Sequence, residues 1–244
     1  MTAKASALAV AFAWLCAVLA GATFDGAPTQ RVTLRTDDGL TLSAQWYEPS
    51  SQPAPAVILV HMLNRSRRDW EAFAHRLAGE GIGALAIDLR GHGESQRFVS
   101  PSATDTGYAA MVHDVKAARR YLASRADVQQ SRVGIAGASL GANVAALAAA
   151  ADGSLTSVAL LSPSLDYRGL RIEPTMKSIG SRPVILVAGS DDSYAARSAR
   201  ELHKAGGGPR ELLILERAGH GTNMLSNDEN LARALVDWFR RTLL

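Results

Sequence analysis

Cysteine is almost absent from this sequence. One residue, Cys16, occurs in 244, and it lies in an apolar run near the N-terminus. Beyond that run the chain has no disulfide, no cysteine nucleophile and no thiolate metal site to draw on, so a fold must be held by its core. A strong charge of one sign is missing as well: the net charge is +3, with acids and bases interspersed. That argues against nucleic acid or an anionic surface as partner. Repeats, low-complexity tracts and long linkers are missing too. The six histidines include no pair with the spacing and acidic company of a metal site. What remains is globular in composition, with 47% hydrophobic and 20% charged residues in a length that suits one large domain.

The N-terminus differs from the rest. Lys4 precedes ASALAVAFAWLCAVLAGA, residues 5–22, which carries no charge and ends in Ala20-Gly21-Ala22. A basic start, an apolar run and small residues at its end predict a secretory signal peptide cut after Ala22. The expected product is a single domain, residues 23–244, exported to the periplasm or secreted. An uncleaved membrane anchor is the alternative, since a run of this length just spans a bilayer. A lipoprotein fits less well, because Ala13-Trp14-Leu15 precedes Cys16 where small residues are expected.

Past this segment the pattern alternates. Residues 30–36 and 40–48 flank Asp38-Gly39 as two half-buried strands, a hairpin signal. Continuous apolar strands are expected at 56–61, 83–88, 132–137, 157–162, 183–189 and 211–216. Helical periodicity is expected at 69–80, 107–125, 140–151, 195–204 and 228–242. Repeated strand–helix units after an antiparallel hairpin give an α/β fold: a mostly parallel eight-stranded sheet with helices on both faces. Functional groups of such sheets gather beyond the C-terminal ends of the strands.

Gly137-Ala138-Ser139-Leu140-Gly141 is G-x-S-x-G between a strand and a helix. A serine on so sharp a turn leaves no room for side chains two residues either side, which calls for glycine. The turn lifts the Ser139 hydroxyl to a helix N-terminus, where the Leu140 N–H can stabilise an oxyanion. Ser190-Asp191-Asp192-Ser193 follows a later strand, and Ala218-Gly219-His220-Gly221 the last one. A serine, an acid and a histidine thus follow three parallel strands. A hydroxyl needs an imidazole to take its proton and a carboxylate to orient that imidazole.

With LVHML at 59–63, DLRGHGES at 88–95, GASLG at 137–141, GSDD at 189–192 and AGHG at 218–221, the chain resembles the α/β-hydrolase superfamily over roughly residues 30–244. It is most similar to small bacterial members of the dienelactone hydrolase-like and serine-aminopeptidase-like groups. Typical dienelactone hydrolases use cysteine as nucleophile, whereas this chain has Ser139. The resemblance implies Ser139, Asp192 and His220 as triad, with Asp191 the near alternative for the acid, and no cofactor or metal. It implies the backbone N–H of Leu63 as second oxyanion donor beside Leu140. Met62 stands where the pattern usually has glycine, so it is expected to narrow the pocket or leave the donor unaffected.

Arg65, Arg67 and Arg68 offer either an acid-binding cluster or a solvated helix start. His92 is expected to be structural, and His75, His113 and His203 to be surface or boundary residues. Only residues 163–182 separate two strands where many relatives insert a helical cap, so an open cleft is expected, lined by Met62, Tyr167 and Met176. Leu63 and Leu140 are expected as an apolar acyl wall. The function expected is cleavage of carboxylic esters of small to medium size through an acyl-enzyme. Amide or thioester cleavage by the same triad is one alternative, and a non-catalytic binding protein on the same scaffold is another. The expected partner is a small-molecule ester.

Overall fold

A computed structural model describes residues 27–95 and 107–244; the apolar segment 5–22 lies outside the described residues. The chain opens with the antiparallel hairpin of β1 (Thr29–Arg35) and β2 (Thr41–Tyr47). Then come β3 (Ala54–Val60), α1 (Glu71–Gly79), β4 (Gly83–Ile87), α2 (Val112–Ala123), β5 (Val128–Ala138), α3 (Leu140–Ala151) and β6 (Leu155–Leu161). The next connection makes a two-stranded ribbon, β7 (Asp166–Tyr167) with β8 (Leu170–Arg171), and the short helix α4 (Glu173–Ile179). The chain ends with β9 (Val184–Gly189), α5 (Ser193–Lys204), β10 (Arg210–Leu215), α6 (Met224–Asn227) and α7 (Glu229–Leu243).

The main sheet has eight strands in the order β1-β2-β4-β3-β5-β6-β9-β10. β2 runs antiparallel to both neighbours, and the other pairs are parallel. This is an α/β-hydrolase sheet. Every residue of β3 is buried, because the strand is covered on both faces. Ala56, Ile58 and Val60 face a core closed by α2, α3 and α5, through Val115, Ala145 and Ala199. Val57 and Leu59 face the opposite core, closed by α1 and α7 through Leu77, Leu235 and Phe239. The near-continuous alanines of α3 let it lie deep, with Ala142, Ala145, Ala146 and Ala149 fully buried. Asp228 caps α7 by accepting from the N–H groups of Asn230 and Leu231.

Two boundaries differ from the sequence pattern by more than two residues. β5 starts at Val128 rather than 132, because Val128 pairs with Ala54 of β3 before the register shifts. The expected helix at 107–125 is α-helical only from Val112, after a single 3-10 turn at Ala109–Met111.

Strand register sets up the site. Val60 lies beside Gly137, Ala138 beside Leu161, Leu161 beside Val187, and Leu215 beside Gly189. The C-terminal ends of five neighbouring strands are therefore level. The residues just beyond them, 61–65, 139, 162, 190–192 and 216–222, share one rim.

Candidate active site

Ser139 occupies a strained turn at φ 52°, ψ −117°, a conformation that costs a non-glycine residue free energy and is kept only where the surroundings impose it. Its N–H donates to the Leu161 carbonyl at 2.8 Å, and its carbonyl accepts from the Ala142 N–H at 2.9 Å. A Cβ on Gly137 would overlap the Gly141 carbonyl, and one on Gly141 would overlap the carbonyls of Val60 and His61. The two glycines thus close the turn and seat the start of α3 on the end of β3.

His220 follows β10. Its Nδ1 bonds to Oδ2 of Asp192, and Oδ1 of Asp192 accepts from the Ala195 N–H at 3.1 Å, capping α5. An ionised carboxylate only accepts, so Nδ1 carries the proton and Nε2 is left as the basic nitrogen. Asp191 serves the backbone instead, its Oδ1 accepting from the Gly219 N–H at 3.0 Å. Next in sequence after His220, Gly221 donates its N–H to the buried Ser162 hydroxyl at 2.9 Å. Ser162 is adjacent to Leu161, the acceptor for Ser139 N–H, so the histidine loop and the serine turn are tied to consecutive residues of β6's end. The Ser139 hydroxyl itself makes no hydrogen bond among the described residues, and the residue as a whole is 8% exposed. In free enzymes such a contact often closes only with substrate.

The turn after β3 is oriented by His61. This fully buried ring holds the Met62 carbonyl at 2.7 Å with Nδ1 and accepts the Leu89 N–H at 3.0 Å with Nε2. The second bond makes Nδ1 the protonated nitrogen. Burial pushes the imidazole down to about 4, against the raising effect of the Met62 bond, so it is neutral near pH 7. Because the peptide is planar and trans, fixing the Met62 carbonyl toward His61 turns the Leu63 N–H the opposite way. His61 therefore sets the direction of that N–H.

The segment 88–95 buttresses this turn. Buried Asp88 accepts from the Arg67 guanidinium, from the Arg67 N–H at 2.7 Å and from the Glu94 N–H at 2.9 Å. Arg90 is buried between Asp114, at 2.7 Å, and Asp38, at 2.6 Å. It holds Asp38 down to about 2. His92 donates its Nδ1–H to the Arg90 carbonyl, 3.0 Å away, and its ring lies 5.2 Å from that of His61.

Several expectations change. Met176 is fully buried and lies in the core with Ile172 and Ile179; a side chain shut off from solvent is not a cleft wall. Leu140 is fully buried in the same core, so its side chain is not an acyl wall either. Leu63 is half-buried against that core. Met62 is 8% exposed, and its Sδ would lie 2.6 Å from a Cβ on Gly221. It fills the seam between the turn after β3 and the histidine loop. Tyr167 stands in the β7–β8 ribbon, edge-on to Tyr108 at 5.9 Å, with the Arg168 guanidinium over both rings. Arg67 is buried and ion-paired rather than solvated, whereas Arg65 bonds to Asp69 and Arg68 is mostly exposed. A surface cleft of about 700 Å³ between the β1–β2 hairpin and α1, lined by Arg31, Tyr47 and His75 among others, includes none of Ser139, Asp192 and His220.

Some site residues escape sequence reasoning. Buried Asn143 accepts from Ser164 N–H at 3.0 Å and donates to the carbonyls of Ser164 and Leu170 at 2.9 and 2.8 Å. It pins the β7–β8 ribbon one turn beyond Ser139. The available signal was that Asn143 is the one polar side chain of α3. Ser162 gave no local signal for its bond to Gly221, 59 residues away, and Asp69 none for its bond to Thr222, 153 residues away.

With the rim assembled, comparison with known proteins places the chain. The family described as serine aminopeptidase, S33 matches residues 51–181, just over half of the 244. The chain belongs to that family. This hydrolase is 31% identical over 233 residues to an uncharacterized protein of Mycobacterium tuberculosis, covering 87% of this chain and 78% of that one. It is 24% identical over 222 residues to a carboxymethylenebutenolidase of Pseudomonas putida, covering 84% and 91%. Its fold is similar to that of an esterase of Pyrococcus furiosus, with TM-score 0.72, 19% identity and coverage of 89% and 94%.

Proposed function

We propose that this hydrolase is an exported serine enzyme that cleaves carboxylic esters of small to medium size through an acyl-enzyme. The observation that carries the reading is the His220–Asp192 pair, with Nε2 unbonded among the described residues, tied beside the strained Ser139 turn through the end of β6. Ser139 attacks the ester carbonyl as His220 Nε2 takes its proton. The N–H groups of Leu63 and Leu140 receive the oxyanion, and His61 keeps the first of these aimed. His220 returns the proton to the leaving alcohol, and water releases the acyl group by the same steps in reverse. Met62 is buried in the seam against Gly221, and an oxyanion donor is a backbone group that a change of side chain at 62 does not remove, which favours catalysis over a binding-only scaffold.

The family's description favours a second reading, cleavage of an N-terminal amino acid. An aminopeptidase needs a carboxylate for the substrate's ammonium group. Asp69, the first acid in sequence after β3, is already engaged by Arg65 and Thr222. That supports ester cleavage. Like the location outside the cytosol and the single domain of residues 23–244, it is our reading.

Fluorophosphonate labelling of the mature protein, with Ser139→Ala as control, tests the nucleophile. Short p-nitrophenyl esters beside amino-acid p-nitroanilides test the bond cleaved. We expect stoichiometric labelling lost in the variant, with turnover of esters over anilides. An unlabelled, folded wild type overturns the serine mechanism, and faster anilide turnover overturns the ester reading. N-terminal sequencing of the exported product is expected to start at Thr23.

A further inference from the structure

The turn that carries the Leu63 N–H and the loop that carries His220 come from opposite ends of the sequence. They meet along a seam with two contacts. One is steric: Met62 is buried against Gly221, with its Sδ where a Cβ on that glycine would be only 2.6 Å away. The other is polar. Thr222 is 3% exposed, and its hydroxyl donates to Asp69 Oδ2 at 2.9 Å. The Arg65 Nε donates to both oxygens of Asp69, at 2.9 and 3.1 Å, and Arg65 N–H reaches back to the Met62 carbonyl at 3.3 Å. Among the described residues, Asp69 is therefore the one side chain that bonds to both sides. It grips the residue two beyond Leu63 and the residue two beyond His220.

We propose that Asp69 is a positioning residue, which fixes the oxyanion donor and the general base relative to each other through Arg65 and Thr222. The inference rests on the triad reading above. The physical reason is that acyl transfer needs both groups at one carbonyl. The serine turn fixes the nucleophile by backbone overlap, but nothing in the backbone joins β3's end to β10's end. β5, β6 and β9 lie between those two strands. Without the clamp each loop keeps its own anchor: His61 holds one, and Asp192 with Ser162 holds the other. Only their separation is released. Met62 limits how far they can approach, and Asp69 limits how far they can part.

The experiment uses the full chain, with p-nitrophenyl acetate turnover and the rate of fluorophosphonate labelling as readouts. Thr222→Val keeps shape and removes the hydroxyl; Thr222→Ser keeps the hydroxyl and removes the methyl. Misplacing reacting groups by an ångström costs on the order of 100-fold. We expect kcat to fall about 10- to 100-fold in Thr222→Val and in Asp69→Asn, with KM within about twofold, and Thr222→Ser to stay within about threefold of wild type. Melting by circular dichroism accompanies each variant. Should Asp69→Asn fail to fold, the Val and Ser pair decides alone. Thr222→Val with wild-type kcat, or Ser as impaired as Val, overturns the proposal while the triad stands. A wild type that neither labels nor turns over overturns the triad reading and this proposal with it.

Discussion

The Ser139 turn and the His220 loop bring their side chains to the same rim by different means. The serine turn is closed by backbone contact: Gly137 lies on the Gly141 carbonyl, and Gly141 on the carbonyls of Val60 and His61. The histidine loop is held group by group by side chains from elsewhere. Asn227 takes the Ala218 carbonyl, Asp191 the Gly219 N–H, Asp192 the imidazole, Ser162 the Gly221 N–H and Asp69 the Thr222 hydroxyl. The difference teaches where tolerance lies. Overlap with backbone has no alternative solution, so the serine turn is all or nothing. Hydrogen bonds from separate residues are lost one at a time, so the histidine loop can be loosened in steps.

The largest step is the one that touches the imidazole. Asp192→Asn replaces an acceptor with an amide that can donate, so the wrong tautomer of His220 is favoured. On the triad reading kcat falls about 10⁴-fold. Asp191→Asn, one residue away, only perturbs the Gly219 bond. Steady-state ester turnover of the two variants separates them, and equal losses would show that the neighbouring acids share one role.

The serine turn should break outright. Gly141→Ala forces a methyl into two carbonyl oxygens with no flexible side chain to give way. We expect at least about 3 kcal/mol of lost stability, read from urea midpoints, or failure to fold. A folded Gly141→Ala of near wild-type stability would mean that the turn relaxes and that the contrast with the histidine loop is overstated.

The same contrast explains what was legible in the sequence. The eight strands, their parallel run and the serine turn follow from local patterns: apolar runs, alternation around Asp38-Gly39, and glycines at fixed spacing. The pairing of Asp192 with His220 was foreseeable because each follows a strand of the parallel sheet. Ser162 and the Asp69–Thr222 bond were not, because a polar partner across the fold leaves no periodic trace, and Asn143 showed only as the one polar side chain of α3. Met176 and Leu140 misled for a related reason. Proximity in sequence to a site says nothing about which way a side chain points, and both turn into the core.

The turn after β3 stands between these two cases, since a single buried imidazole holds the Met62 carbonyl while side chains from elsewhere brace the rest. His61 sits at about 4 in the folded chain, against 6.5 ordinarily. The unfolded chain therefore takes up the proton first. The stability associated with neutral His61 is complete above about pH 6.5 and is lost as pH falls toward 4, by roughly 3 kcal/mol in all. Asp38, depressed to about 2 by Arg90, loses its contribution only below the ordinary carboxylate range, so the two windows are distinct. Urea midpoints between pH 7 and 4 should fall for the wild type and flatten in His61→Asn, which starts lower but has no proton to gain. A variant with the wild-type slope would place the acid lability elsewhere.

The smallest expected effect is Ser162→Ala, and it bears most directly on whether the histidine loop loosens by steps. Removing the hydroxyl leaves the buried Gly221 N–H without its acceptor, while the Ser162 N–H keeps the Val187 carbonyl at 2.7 Å. An orphaned buried donor costs about 1–3 kcal/mol, and the lower end is expected because the four other ties remain. Hydrogen exchange should rise at Gly221 and its neighbours while the amides of β5 stay protected. If the loss instead spreads to the amide of Ser139 through Leu161, the two regions open as one unit, and the serine turn depends on the loop beside it.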